Sequence, residues 1–206
     1  MFFSKRILSF AKPWNVHSLS TWMCPRDIEN MKFKSIGKNV LISKNAVIYR
    51  PENITLGNNV RIDDFATLSP SFGGLHLGSY VHLSNQVYLA GTVNIGDCTN
   101  LSFKSIVFSR TDDISGSYMV GACIDEEFTN ITDKPVKIGS HVFVGPMTVV
   151  LPGSILQNGV AVGVHSLVKG EELVQNGFYV GIPCKKIGFR HDRMYELEQR
   201  MKNKHC

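Results

Sequence analysis

The sequence predicts a mainly β protein, a parallel β-helix of about six or seven coils, and three observations carry that prediction. Aliphatic residues recur every six positions at Ile138, Val144, Val150, Leu156, Val162 and Val168. The same interval runs through Ile36, Ile42, Ile48 and Ile54, and again from Leu77 through Leu83, Leu89, Ile95 and Leu101 to Val107, with Leu56, Ile62 and Leu68 as a stretch offset by two residues. Gly follows the aliphatic residue at Ile36, Leu56, Leu77, Ile95, Ile138, Val144 and Val162, and a small or β-branched residue such as Val60, Val81, Val142 or Val160 completes the unit. A fixed interval of this kind sets the architecture ahead of local propensity.

Each unit reads as a short strand with one large and one small residue pointing inward, closed by a turn where Gly or Asn tolerates positive φ. Three units make a triangular coil of about 18 residues, and coils stacked at ~4.8 Å give three flat parallel sheets around a thin aliphatic core. A β-sandwich would show period-two alternation with turns every eight to twelve residues instead.

In order along the chain, residues 1–35 are expected to form an N-terminal cap, interrupted by Pro13 and Pro25. Residues 2–11, FFSKRILSFA, are too short to span a bilayer and are expected to pack as a helical cap on the first coil. Residues 36–189 form the β-helical domain, with a break in phase at Phe72, Gly73 and Gly74. From 109 to 135 the period disappears. That segment carries acids, Arg110 and the apolar residues Tyr118, Met119, Ile124, Phe128 and Ile131, so it is expected to protrude and fold over a functional region. Coils resume at Val136. In the tail, 190–206, Met194, Leu197 and Met201 stand at helical spacing and predict a short C-terminal helix.

The net charge of +5 is concentrated at the ends of the chain. Residues 39–184 hold eight Lys or Arg against twelve Asp or Glu, while the first 38 hold seven against two and the last 22 hold seven against three. No nucleic-acid motif accompanies the charge, so a polyanionic small molecule near the C-terminal coils is the better expectation. Five cysteines, Cys24, Cys98, Cys123, Cys184 and Cys206, lack metal spacing and are odd in number, which argues against a disulfide framework and suits a reducing cytoplasm. No metal site and no transmembrane segment are expected.

The closing segment YVGIPCKKI, Tyr179 to Ile187, together with VGVHSLVKG, Val162 to Gly170, resembles the end motif of the hexapeptide-repeat acyltransferases, in the sugar acetyltransferase branch associated with surface polysaccharide biosynthesis. The resemblance covers about residues 36–190 and implies a left-handed β-helix, an exception to the right-handed crossover rule. It also implies acetyl-CoA as cosubstrate, a homotrimer with active sites between subunits, and a bacterial cytoplasmic location. By the same resemblance, backbone groups around Gly145, Gly163 and Val164 would bind the pantetheine arm, and Lys169, Lys185 and Lys186 would approach the CoA phosphates.

In sugar acetyltransferases of this family, a His after the coil that precedes the long loop takes the proton from the acceptor hydroxyl. This chain has Asp112 at that position and Asp113 beside it. A hydroxyl needs a base poised near neutrality, which an ordinary Asp at ~3.9 is not, whereas a neutral amine attacks a thioester unaided and needs a carboxylate only to orient it and take its proton. The substitution therefore favours an amino acceptor, with Asp112 and Asp113 as catalytic candidates and His82 as a further one. Asn85, Arg110 and His141 are the candidate substrate-binding residues. The expected activity is acetyl-CoA-dependent N-acetylation of a nucleotide-linked amino-deoxy sugar, for example a dTDP-4-amino-4,6-dideoxyhexose destined for O-antigen or another surface polysaccharide. Two alternatives stand beside it: a sugar or O-antigen O-acetyltransferase with His82 or His141 as base, and a non-enzymatic β-helical assembly subunit.

Overall fold

The computed structural model describes residues 21–204. Its body is a parallel β-solenoid whose coils present three faces. The first face stacks Ser35–Ile36, Ile54–Leu56, the second halves of Thr67–Leu77 and Tyr88–Ile95, and then Val136–Ile138, Ile155–Leu156 and Glu172–Leu173. The second stacks Leu41–Ile42, Arg61–Ile62, His82–Leu83, Asn100–Leu101, Phe143–Val144, Ala161–Val162 and Gly177–Val180. The third is built from Val47–Ile48, the first halves of the same two long strands, Ile106–Phe108, Val149–Val150 and Leu167–Val168. Six-residue phasing thus becomes one inward aliphatic residue per face per coil. On the second face Ile42, Ile62, Leu83, Leu101, Val144 and Val162 are all fully buried, and Tyr179 closes the ladder at 7% exposure.

The three corners differ. Between the first and second faces, and again between the second and third, each coil turns through a residue at positive φ: Asn39, Asn59, Tyr80, Cys98, His141 and Asn176 at one corner, Phe65, Gln86, Lys104, Met147 and His165 at the other. At the corner joining the third face to the first, Thr67–Leu77 and Tyr88–Ile95 run through without a turn. In that corner the inward position two residues before each first-face ladder residue is held by the aliphatic side chains of Ile54, Leu75, Val93 and Val136. Ile54 is therefore a corner residue and not the member of the six-residue ladder that its spacing suggested. The turn Pro51–Asn53 lengthens the step from Ile48 to Leu56 to eight residues, which explains why Leu56, Ile62 and Leu68 are offset by two. The break at Phe72 to Gly74 is a bulge within a continuous strand, lying between Pro70 and Leu75.

The described part of the N-terminal region places Trp22 in a bridge to Ser43 and forms a helix at Pro25–Asn30, with Met23, Ile28 and Phe33 packed on the core. The expected helical packing of residues 2–11 lies outside the described residues. At the other end, Lys185–Phe189 folds back antiparallel on Gly177–Val180, and the helix Arg193–Lys204 lies on the corner between the first and second faces. Its anchors are the Arg190 Nη1, which donates to the His141 and Gly159 carbonyls at 2.8 Å, and the Tyr195 hydroxyl, which donates to Asn176 Oδ1 at 2.7 Å. Among the described residues no helix is long and apolar enough to cross a membrane.

Candidate active site

The non-periodic segment leaves the solenoid at the corner between the third and first faces, and its base is tied down. Ser109 is fully buried; its hydroxyl accepts the Thr92 N–H and donates to Asp133 Oδ1, each at 2.8 Å. Thr92 Oγ1 in turn lies 2.7 Å from Ser71 Oγ. Gly91 is required here, because at its φ of +87° an added Cβ would overlap the Ser109 hydroxyl. From this anchor Arg110–Asp112 pairs antiparallel with Ile131–Asp133, Asp112 standing opposite Ile131. Arg110 Nε is 3.7 Å from Asp133 Oδ2.

Beside this ribbon is a cleft of about 430 Å³ bounded by Arg50, Ser69, Tyr88, Arg110, Asp112 and Glu126. The Arg50 guanidinium donates to the Pro70 carbonyl, which aims it along the corner. Two guanidinium groups suit a polyanionic substrate, and a half-buried carboxylate among them suits an ammonium or amine. Tyr88, 40% exposed, offers a ring against which a planar group can stack. The apolar loop residues do not close over a core of their own: Tyr118, Met119, Phe128 and Ile131 each remain about half exposed. Asp112 and Arg110 thus line the same cleft.

Asp113 does not join them. Its N–H donates to the Asn130 carbonyl, its Oδ1 accepts the Ser115 N–H at 2.7 Å, and its Oδ2 accepts from Asn130 Nδ2 at 3.5 Å. Hydrogen bonding by Ser115 holds its carboxyl below the ordinary carboxylate range. It shapes the loop turn, as Asp commonly does.

The corner between the second and third faces carries the candidate cofactor residues. Gly145 and Gly163 stack directly, and a Cβ on Gly145 would fall 2.6 Å from the Gly163 carbonyl carbon, so the turns approach too closely for any side chain. Val164 is 58% exposed beside them. Lys185 and Lys186 are exposed at the C-terminal end of this corner, Lys186 with its Nζ 4.3 Å from the centre of the Phe189 ring, whereas Lys169, also exposed, follows Leu167–Val168 at the opposite edge of the third face. Ser102 stands one coil before Gly145 in the same column, since its N–H donates to the Val144 carbonyl as that of Gly145 does to Val162. The six-residue pattern did not single out Ser102. The available signal was a hydroxyl at a column position that later coils fill with Gly.

His82 lies on the outward side of the second face. Its Nε2 is 2.8 Å from Asp63 Oδ2, and Asn100 Nδ2 is 3.0 Å from its Nδ1. Asp63 is 6% exposed; burial opposes its ionisation, but hydrogen bonds from His82 and Arg61 outweigh it and hold the carboxyl below the ordinary range. With both ring nitrogens engaged, His82 has no lone pair directed at a substrate. Asn85 lies at the turn after it, accepting the Lys104 N–H on its carbonyl, and does not line the cleft.

His141 is also away from the cleft. It sits at the opposite corner under the C-terminal helix, Nε2 2.8 Å from Glu198 Oε2 and its ring edge-on to Tyr195 at 5.0 Å. Its Nε2 ties the helix to the solenoid through Glu198, and it does not line the cleft. Cys98 joins this cluster, so that a thiol, an imidazole and a carboxylate lie within 4.8 Å of one another although the sequence shows no metal spacing. Burial, then the charge of Glu198, pushes the Cys98 thiol up to about 11, and Lys202 pairs with Glu198 at 2.8 Å.

No family model matches the chain. It is 40% identical over 173 residues, 83% of this chain and 90% of the relative, to a dTDP-4-amino-4,6-dideoxy-D-glucose acyltransferase of Escherichia coli. An E. coli K12 protein described as a lipopolysaccharide biosynthesis O-acetyl transferase, WbbJ, is 32% identical over 143 residues, 66% of this chain and 68% of the relative. Among solved structures, the N-acyltransferase AntD from Bacillus cereus in complex with dTDP and 3-hydroxybutyryl-CoA superposes with a TM-score of 0.85 at 37% identity, covering 89% of this chain and 97% of AntD. Other AntD structures carry substitutions at one aspartate and at a serine ten residues before it.

Proposed function

Because the chain belongs to the hexapeptide-repeat sugar acyltransferases and is an acyl-CoA-dependent enzyme, we propose that it N-acetylates the amino group of a dTDP-linked 4-amino-4,6-dideoxyhexose. The observation that carries this reading is Asp112, a carboxylate where the family's hydroxyl-directed members have a His, set in a cleft between Arg50 and Arg110. The amine nitrogen attacks the thioester carbonyl, the C–N bond forms, and Asp112 accepts the proton that the nitrogen sheds. Collapse of the tetrahedral intermediate breaks the C–S bond, and the proton follows to the departing sulfur. The arginines face the diphosphate. Backbone N–H groups along the Gly145 and Gly163 column hold the pantetheine arm, with Val164 against it and Lys169, Lys185 and Lys186 at the CoA phosphates.

Ser102 and Asp112 are separated by ten residues, as are the serine and aspartate altered in AntD. We assign Ser102 to the acyl end of the CoA groove. The two residues flank the third face on opposite edges, about five residues of extended chain or roughly 15 Å apart. This separation favours a site composed of Asp112 from one copy and Ser102 from a neighbour, which fits a cytoplasmic homotrimer. The O-acetyl alternative is disfavoured by His82, both of whose ring nitrogens are engaged by Asp63 and Asn100, and by His141, whose Nε2 is held by Glu198 away from the cleft.

The test is release of free CoA thiol from acetyl-CoA in the presence of dTDP-4-amino-4,6-dideoxyglucose or its 4-hydroxy counterpart. Release with the amino sugar alone is the expected result. Release with the hydroxyl sugar at a comparable rate would move the chemistry to O-transfer.

A further inference from the structure

Four groups on the outer surface of the second face are joined in series. Asp63 Oδ2 meets His82 Nε2 at 2.8 Å, His82 Nδ1 meets Asn100 Nδ2 at 3.0 Å, and Ser102 Oγ donates to Asn100 Oδ1 at 3.3 Å. Arg61 Nε fixes the other oxygen of Asp63 at 2.6 Å. The strands hold these groups in register, since Arg61 pairs with His82 and His82 with Asn100 across adjacent coils.

The series has a definite polarity. An ionised carboxylate only accepts, so Asp63 places the imidazole proton on Nε2 and leaves a lone pair on Nδ1. That lone pair accepts a hydrogen bond from the Asn100 amide N–H, which turns the amide oxygen toward Ser102. The Ser102 proton then points to Asn100, and the hydroxyl oxygen offers lone pairs to whatever occupies the corner groove.

We propose that Asp63, His82 and Asn100 form a positioning relay that fixes the direction of the Ser102 hydroxyl at the acyl end of the CoA groove. The inference rests on the assignment of Ser102 made above. In this arrangement Ser102 accepts a hydrogen bond from the acceptor N–H or from the S–H of released CoA. It does not donate to the thioester oxygen, so the oxyanion is left to backbone N–H groups. His82 is thereby a positioning residue, not the base.

A double-mutant cycle tests this, with kcat and the KM for acetyl-CoA measured for wild type, His82→Leu, Ser102→Ala and the double variant. His82→Leu is expected to lower kcat about tenfold, with KM changed less than about twofold, and to cost less than about twofold when combined with Ser102→Ala. His82→Asn, whose side-chain oxygen can replace Nδ1 as acceptor, is expected to restore most of the rate. If His82→Leu loses its fold, Asn100→Ala reports on the same link and is expected to behave alike. Equal losses whether Ser102 is intact or replaced, or no loss in either case, would overturn the relay while leaving the acyltransferase reading intact. Absence of wild-type turnover with every acyl-CoA and amino sugar tried would overturn that reading and the relay together.

Discussion

In the proposed reaction a single side chain, Asp112, carries the most chemistry. Asp112 is half-buried at the end of a two-stranded ribbon, its position set by the Ser109 anchor and by pairing with Ile131. Removing its negative charge while keeping its shape, Asp112→Asn, is expected to lower kcat by about 10²-fold or more, in line with the loss of a general base, with the melting temperature unchanged. A variant that keeps full activity would remove Asp112 from the chemistry. Asp112 stood out as a candidate from its place in the six-residue register, and it lines the cleft. Asp113 was not separable from it in sequence, because the difference lies in what the following residues do: Ser115 and Asn130 fold back on one carboxylate and leave the other facing the cleft.

The elements were legible where a period exists and obscure where it stops. Spacing alone placed the ladders of all three faces, because each inward position must be aliphatic to bury a thin core. It misplaced Ile54, since the coil that turns through Pro51–Asn53 steps eight residues from Ile48 to Leu56 where the regular step is six. The surroundings of His141 were hidden for a related reason. Its partner Glu198 is far along the chain on the C-terminal helix, a contact that no local pattern announces. That contact carries a pH prediction. Glu198 is held below its ordinary value of 4.5, first by the hydrogen bond from Lys202 and then by that from His141. A depressed carboxylate contributes stability that is present above its unfolded value and lost as pH falls through the folded one. The melting temperature is therefore expected to drop as pH falls below about 4.5, and Glu198→Gln is expected to be less stable near neutrality with a flatter acid limb. An unchanged acid limb in scanning fluorimetry would mean that this clamp does not secure the helix.

For the whole molecule, the proposed shared site follows from a division of work among the three corners. One corner holds the C-terminal helix, the second the stacked turns of Ser102, Gly145 and Gly163, and the third the loop with Asp112. Chains carrying Asp112→Asn and chains carrying Ser102→Ala should each be nearly inactive alone. Co-expressed in equal amounts, they are expected to regain about one quarter of wild-type activity, because one interface in four pairs an intact Asp112 with an intact Ser102. A mixture no more active than its components would place both residues in one chain's site and contradict the shared interface.

The decisive observation is the structure of the product formed from acetyl-CoA and dTDP-4-amino-4,6-dideoxyglucose, an acceptor that offers an amine and free hydroxyls in the same molecule. Two-dimensional NMR is expected to show a single amide at C4, with the ring hydroxyls unmodified. An ester at a ring hydroxyl with the C4 amine left free would contradict the assignment of Asp112 as the residue that selects and deprotonates an amine.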